Sequence, residues 1–177
     1  LPFGYVLVRL ILNKDVRREG SGNIGATNVA RVAGKKLGIT TLILDISKGM
    51  LCVGAAHFLS LTSDASALWG LCAFLGHCYT PFLKFNGGKG VATGLGVLVV
   101  IVPKAAIAGL VAFLMGYIII RKVSLGSLVG APVALTVTWM LNNSLTLQIC
   151  VTILVLILIF RHKSNISRLV QRKELSL

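Results

Sequence analysis

The run AAIAGLVAFLMGYIII, residues 105–120, holds no charged side chain and comes close to the ~20 apolar residues that a helix needs to cross hydrocarbon. Pro103 and Lys104 precede it and Arg121 and Lys122 follow it, so polar punctuation bounds it on both sides. Outward from this run the pattern repeats in Leu95–Val102, Leu125–Leu141, Leu145–Phe160 and Thr40–Leu61. The chain of 177 residues is 55% hydrophobic and only 13% charged, with a mean hydropathy of +0.87. A soluble fold has no interior large enough for that much apolar surface. The expectation is an all-α integral membrane protein forming one polytopic domain over residues 1–177.

Seven spans are predicted: a truncated Leu1–Leu12, then Gly38–Leu59, Ala65–Gly76, Val91–Val102, Ala105–Ile120, Leu125–Leu141 and Leu145–Phe160. The chain opens on Leu1 inside an apolar run with no cleavable signal pattern, which predicts further residues before it. Seven spans put the termini on opposite sides, and the cations choose the sides. Fifteen of the eighteen Lys and Arg residues fall in loop 13–36, loop 77–90, Arg121–Lys122 and the tail, while the loops between, at 60–66, 103–104 and 142–144, hold only Lys104. The basic side is therefore read as cytoplasmic, with the N-terminus outside and the C-terminus inside. The net charge of +13 is read as this bias plus attraction to anionic headgroups. Nucleic-acid binding is disfavoured, because the cations sit in short loops without a continuous basic helix or aromatic platform. Cys52, Cys72, Cys78 and Cys150 lack C-x-x-C spacing and lie in or beside apolar segments, so they read as reduced packing residues, and no metal site is expected.

The polar residues concentrate on the basic side. In SGNIGATN (Ser21–Asn28), Gly22 and Gly25 permit positive φ, so successive N–H groups can face one concavity, with Asn23, Thr27 and Asn28 adding side-chain donors. Such a cradle suits phosphate, and Arg31 can offer it a planar fork; read alone, the octapeptide fits a simple turn equally well. GHCYTPFLKFNGGKGVATG (Gly76–Gly94) sets Gly87, Gly88 and Gly90 around Lys89, with Thr93 at the start of a span. It is no Walker A loop, since Leu83 and Gly90 stand where that motif needs Gly and Ser or Thr. RKVSLGS places Arg121, Ser124 and Ser127 three apart, which fits a third phosphate-directed set or a helix cap beside a topogenic charge. Within the second span, Asp45 and Lys48 are read as a structural ion pair, and His57 is given no role.

GSGNIGATNVAR (20–31), GHCYTPFLKFNGGKGVAT (76–93), RKVSLGS (121–127) and RHKSNISRL (161–169), in this order, resemble the motifs of the bacterial acyl-phosphate:glycerol-3-phosphate acyltransferase (PlsY) family. The resemblance spans almost the whole chain; it departs at the truncated first span and at VQRKE, where a Gly near Arg172 is expected. It implies seven membrane helices with the N-terminus outside, in the bacterial plasma membrane, and a site facing the cytoplasm. It also implies transfer of a fatty acyl group from acyl phosphate to the sn-1 hydroxyl of glycerol 3-phosphate, giving 1-acylglycerol 3-phosphate and phosphate, without metal or cofactor. Arg31 and Lys89 would then hold phosphates, the loop from Ser21 to Asn28 would cradle them, Ser124 and Ser127 would complete the cradle, and His162 with Asn165 would close it. His77 is left open between a general base and a helix cap. No G-x-S-x-G elbow is present, and Phe82 stands where the H-x-x-x-x-D motif of acyl-CoA-dependent enzymes needs its acid. Direct attack by the glycerol hydroxyl, with a substrate phosphate taking its proton, is the expected chemistry, and the acyl chain would lie against apolar helix faces. The rival reading is a transporter of a phosphorylated solute, for which no inverted repeat is visible.

Overall fold

The computed structural model describes residues 1–142 and 144–176, and these are all helical or loop. The helices are α1 (Phe3–Leu12), α2 (Ala26–Ala33), α3 (Lys35–Phe58), α4 (Ser63–Cys78), α5 (Val91–Ile101), α6 (Pro103–Ile120), α7 (Val123–Leu141), α8 (Leu145–Arg161) and α9 (Lys163–Val170). Of these, α1 and α3 to α8 match the seven apolar stretches to within a few residues. Three helices, α3, α6 and α7, are each long and apolar enough to cross a membrane, and α8 with α9 makes a fourth such unit bent by 52°. Asn143, in the expected 142–144 turn, lies outside the described residues. The surface of the long helices carries the apolar load predicted for them: Ile107, Val111 and Ile118 on α6 are exposed, as are Leu51 on α3 and Leu156 on α8. In water such a belt would be a severe aggregation liability; in a bilayer it is the lipid-facing surface.

Helix association inside a membrane depends on close backbone approach at small residues. That is how α6 meets α7: a Cβ added to Gly109 would stand 2.8 Å from the Cβ of Ala134, and one on Gly126 would stand 2.6 Å from the carbonyl of Phe113. Gly49 and Gly96 do the same for α3 against α5. The main core joins α4 to α8 around Phe74, Val151, Leu154 and Leu158, and a smaller cluster of Val8, Val16, Ile24, Val29 and Leu83 fixes the first loop against α1 and α2. Cys78 and Cys150 belong to the main core, whereas Cys72 is exposed.

Two helices were not foreseen. Both α2 and α9 are short and polar, so a search for apolar spans passes over them, yet Gly25 caps the start of α2 and Gly34, at φ +87°, ends it. These two helices shape the basic end. The helix starts at the two ends of the bundle also differ. At the far end Thr62 and Ser144 cap α4 and α8 through their hydroxyls, and Pro103 opens α6 without an N–H to satisfy. At the basic end α2, α3, α5, α7 and α9 all begin without a side-chain cap and without an acid in the first turn.

Candidate active site

The five uncapped helix starts surround one cavity of about 690 Å³. Unsatisfied N–H groups and the positive ends of helix dipoles favour an anion there. Among the residues expected to form the site, Ser21, Asn23, Gly25, Thr27, Asn28, Arg31, His77, Lys89, Gly90, Ser124, Ser127, His162 and Asn165 line this cavity. Positions as far apart in sequence as Ser21 and Asn165 thus converge.

Five residues do not reach the cavity, and each has a physical reason. Arg121 ends α6 in the left-handed conformation and is exposed. Thr93 is fully buried on α5, where its carbonyl is packed against Gly49 of α3. Gly22 spends its N–H on the carbonyl of Glu19 in a turn. Gly87 and Gly88 donate theirs to the carbonyls of Cys78 and His77, at 3.1 Å each. The glycine loop is therefore no open nest of donors. It is a strap, fixed from its other side by the Arg161 guanidinium, which donates to the carbonyls of Gly88 (3.1 Å) and Gly87 (2.6 Å). What the strap does is aim Lys89 inward.

The first loop is built around a buried amide. Asn28 is 1% exposed; its Nδ2 donates to the carbonyls of Val16, Glu19 and Asn23, and its Oδ1 accepts the Ser21 N–H at 2.7 Å. Asn23 Oδ1 accepts the Gly25 N–H. The Asn28 amide is committed to shaping the loop, which corrects its expected role as a direct donor, whereas Asn23 commits only its oxygen. The first N–H groups of α2, at Ala26 and Thr27, are among the donors left at this corner.

Lys89 Nζ donates to Asn165 Oδ1, and Asn165 Nδ2 donates to Glu174 Oε1 at 2.6 Å. The same carboxylate accepts from Ser124 Oγ (3.0 Å) and from Arg168 Nε (2.9 Å). Arg31 reaches the tail too, donating to the carbonyls of Ser176 and Leu175. Burial, reinforced by Arg168, holds the Lys89 ammonium down at about 8, well below an ordinary lysine. Glu174 lies below the usual carboxylate range: its burial acts upward, but the hydrogen bonds from Asn165, Arg168 and Ser124 prevail. Sequence reading missed Glu174, Arg161 and Arg168. The available signal was scarcity, since only five acids stand in the whole chain and one is embedded in a basic tail.

His162, at the junction of α8 and α9, has Nδ1 2.8 Å from the carbonyl of Leu158. A carbonyl only accepts, so Nδ1 carries the proton and Nε2 is left as an acceptor. His77 is neither a free base nor a cap. Its Nδ1 lies 2.6 Å from Lys48 Nζ and 3.6 Å from Asp45, so the Asp45–Lys48 pair is one part of a three-residue buried network. Away from these polar groups the cavity continues as an apolar arm along α3, α5, α6, α7 and α8, lined by Leu42, Leu95, Leu110, Ala131 and Leu158 among others.

Comparison with known proteins gives one answer throughout. The family model for glycerol-3-phosphate acyltransferase matches residues 1–172. The glycerol-3-phosphate acyltransferases of Anaeromyxobacter sp. (strain Fw109-5) and Myxococcus xanthus (strain DK1622) are each 44% identical to the chain, over 98% of it and 88% and 91% of their own lengths. The crystal structure of PlsY (YgiH), an integral membrane glycerol 3-phosphate acyltransferase, in its glycerol 3-phosphate form superposes with a TM-score of 0.93 at 34% identity, covering 99% of this chain and 88% of that one. Its lysophosphatidic acid form gives a TM-score of 0.88 at 33% identity, covering 100% and 88%. With a full-length family match, close relatives and a shared membrane fold, this chain belongs to the glycerol-3-phosphate acyltransferase family.

Proposed function

We propose that the chain transfers a fatty acyl group from acyl phosphate to the sn-1 hydroxyl of glycerol 3-phosphate, as a single polytopic domain of the bacterial plasma membrane. One observation carries the reading: a single cavity joins a cationic end, ringed by five uncapped helix starts, to an apolar arm. Its two halves suit two anionic headgroups and one fatty chain. Arg31, Lys89 and the starts of α2 and α5 would hold the phosphates, with Ser124 and Ser127 beside them. Asn165 orients Lys89, and the Nε2 of His162 would accept from the other, sn-2, hydroxyl of the glycerol and so orient the acceptor for attack by its sn-1 oxygen. The hydroxyl oxygen attacks the acyl carbon, the bond from that carbon to the phosphate oxygen breaks, and phosphate leaves with the electron pair. The hydroxyl proton passes to a phosphate oxygen. An acyl phosphate is a reactive mixed anhydride, so positioning and charge stabilisation are the main demands on the protein.

The donor is tested with purified protein, glycerol 3-phosphate and either hexadecanoyl phosphate or hexadecanoyl-CoA. Turnover with the acyl phosphate and at most a few per cent of that rate with the thioester is expected; comparable rates would overturn the donor assignment. The glycerol 3-phosphate form of the PlsY (YgiH) structure supports the acceptor.

The seven apolar helices are read as seven spans, with the N-terminus outside and the site facing the cytoplasm, on the strength of the charge bias. Cysteine introduced at Ser21, Asn86 or Ser164, in a chain freed of its native cysteines, should resist an impermeant thiol reagent in intact cells and react once the cells are opened. Labelling from outside at any of the three would remove the shared cytoplasmic site.

A further inference from the structure

We propose that Leu98 of α5, Ala106 of α6 and Ala134 of α7 form a floor under the apolar arm that limits the length of the acyl chain the enzyme accepts. The proposal rests on the acyl-transfer reading above. The argument starts from helix register. Ser124 and Ala134 both line the cavity on α7, and the stretch between them rises ~15 Å at ~1.5 Å per residue. On α5 the stretch from Gly90 to Leu98 descends ~12 Å in the same way. α6 runs in the opposite sense, so Ala106, its first lining residue, is its deepest. The three positions therefore lie at one level, on the side remote from Lys89 and Ser124. An extended chain covers ~3.3–3.6 Å per three bonds, so a depth of ~15 Å is spanned by about thirteen bonds. That is the scale of a long fatty chain.

The arm is closed at this level and open above it. Leu98, Ala106 and Ala134 are 6%, 3% and 3% exposed and belong to the main core. Nearer the cationic end, Ile39 and Leu42 on α3 and Leu110 on α6 line the same cavity while remaining exposed on the outer surface, and α3 and α6 share no extensive contact. A chain can thus pass sideways from the bilayer into the arm, but its terminal carbons meet a closed end. Two of the three floor residues are alanines, so the space before them belongs to the ligand and is lost when the side chain grows.

Ala134 abuts Gly109 at the α6–α7 contact, so the experiment uses the other two positions in opposite directions. Ala106→Leu fills the floor and Leu98→Ala lowers it. The readout is kcat/KM with decanoyl, hexadecanoyl and octadecanoyl phosphate, with glycerol 3-phosphate fixed and thermal unfolding followed in parallel. Each methylene gained or lost in an apolar pocket changes discrimination by about tenfold or more. Ala106→Leu is therefore expected to lower the hexadecanoyl-to-decanoyl ratio by about tenfold or more. Leu98→Ala is expected to raise the octadecanoyl-to-hexadecanoyl ratio, and Val111→Ala, on the exposed face of α6, to shift neither. Should Ala106→Leu fail to fold, Leu98→Ala decides alone. Folded, active variants with wild-type ratios would overturn the floor and leave acyl transfer standing. A wild-type protein inactive with every acyl phosphate would instead overturn the acyl-transfer reading, and the floor with it.

Discussion

Lys89→Ala is expected to lower acyl transfer by about 10²–10³-fold, the usual consequence of deleting one donor aimed at developing charge in a water-poor site. The protein should remain folded, because the loop around Lys89 is held by Arg161 and by the carbonyls of His77 and Cys78, not by the lysine itself. The Lys89 ammonium is buried near Arg168, Arg31 and Arg161 and donates to a neutral amide, Asn165. Glu174 offsets part of that repulsion, but burial and the guanidinium groups prevail, so a substrate phosphate has much to gain by binding there. The pH dependence follows with a definite sign. Below about 8 Lys89 is charged and competent; as pH rises through about 8 it loses its proton, and kcat/KM for glycerol 3-phosphate should fall. Stability moves the other way. The folded pKa of Lys89 is below its ordinary 10.5, so between about 8 and 10.5 the unfolded chain holds more protons and this group stabilises the fold increasingly as pH rises. Lys89→Arg should abolish the fall in kcat/KM across that window while retaining part of the activity. A pH profile identical in wild type and Lys89→Arg would take Lys89 out of phosphate binding.

How far the sequence carries a reader depends on which force acts at each position. The positions of the long apolar helices follow from burial in lipid, which acts on whole runs of residues and leaves long, uncharged stretches such as 105–120. Most of the polar part of the cavity lining was legible for a related reason: Gly, Asn, Ser and His are costly in an apolar chain and gather where the backbone must turn toward an anion. What was not legible is the direction of individual hydrogen bonds. Asn28 reads as a phosphate donor by composition, yet its Nδ2 has three carbonyls within reach in the folded loop and is saturated by them. Gly87 and Gly88 read as a nest, yet the end of α4 offers carbonyls that take their N–H groups first. Arg121 sits in the motif beside Ser124, but the helix break between them turns its side chain away from the cavity. Glu174 escaped notice because an acid among phosphate-binding cations looks out of place until its three donors are seen.

Those three donors make Glu174 the second position of large effect. Its carboxylate joins Ser124 of α7, Asn165 and Arg168 of α9, and through Asn165 the tip of Lys89. It is 8% exposed, so Glu174→Ala leaves buried donors without an acceptor, each at a cost of about 1–3 kcal/mol. Arg168 is the more solvated partner, its side chain 28% exposed, and is the one that water can best compensate. The amide of Asn165 has no such recourse, and its freedom to turn would release Lys89 from its aim. Glu174→Ala is therefore expected to lower the thermal unfolding temperature in detergent and to reduce acyl transfer by about tenfold or more. Glu174→Gln keeps an oxygen for Ser124 and Asn165 and loses the charge opposite Arg168, so it should recover most of the stability. The wild-type contribution is present above the ordinary glutamate pKa and is lost only as pH falls through the depressed folded value, so the gap between wild type and Glu174→Ala should narrow in acid. If Glu174→Ala unfolds like wild type and turns over faster, the carboxylate is a competitor of the substrate phosphate and not the clasp that sets its binding groups.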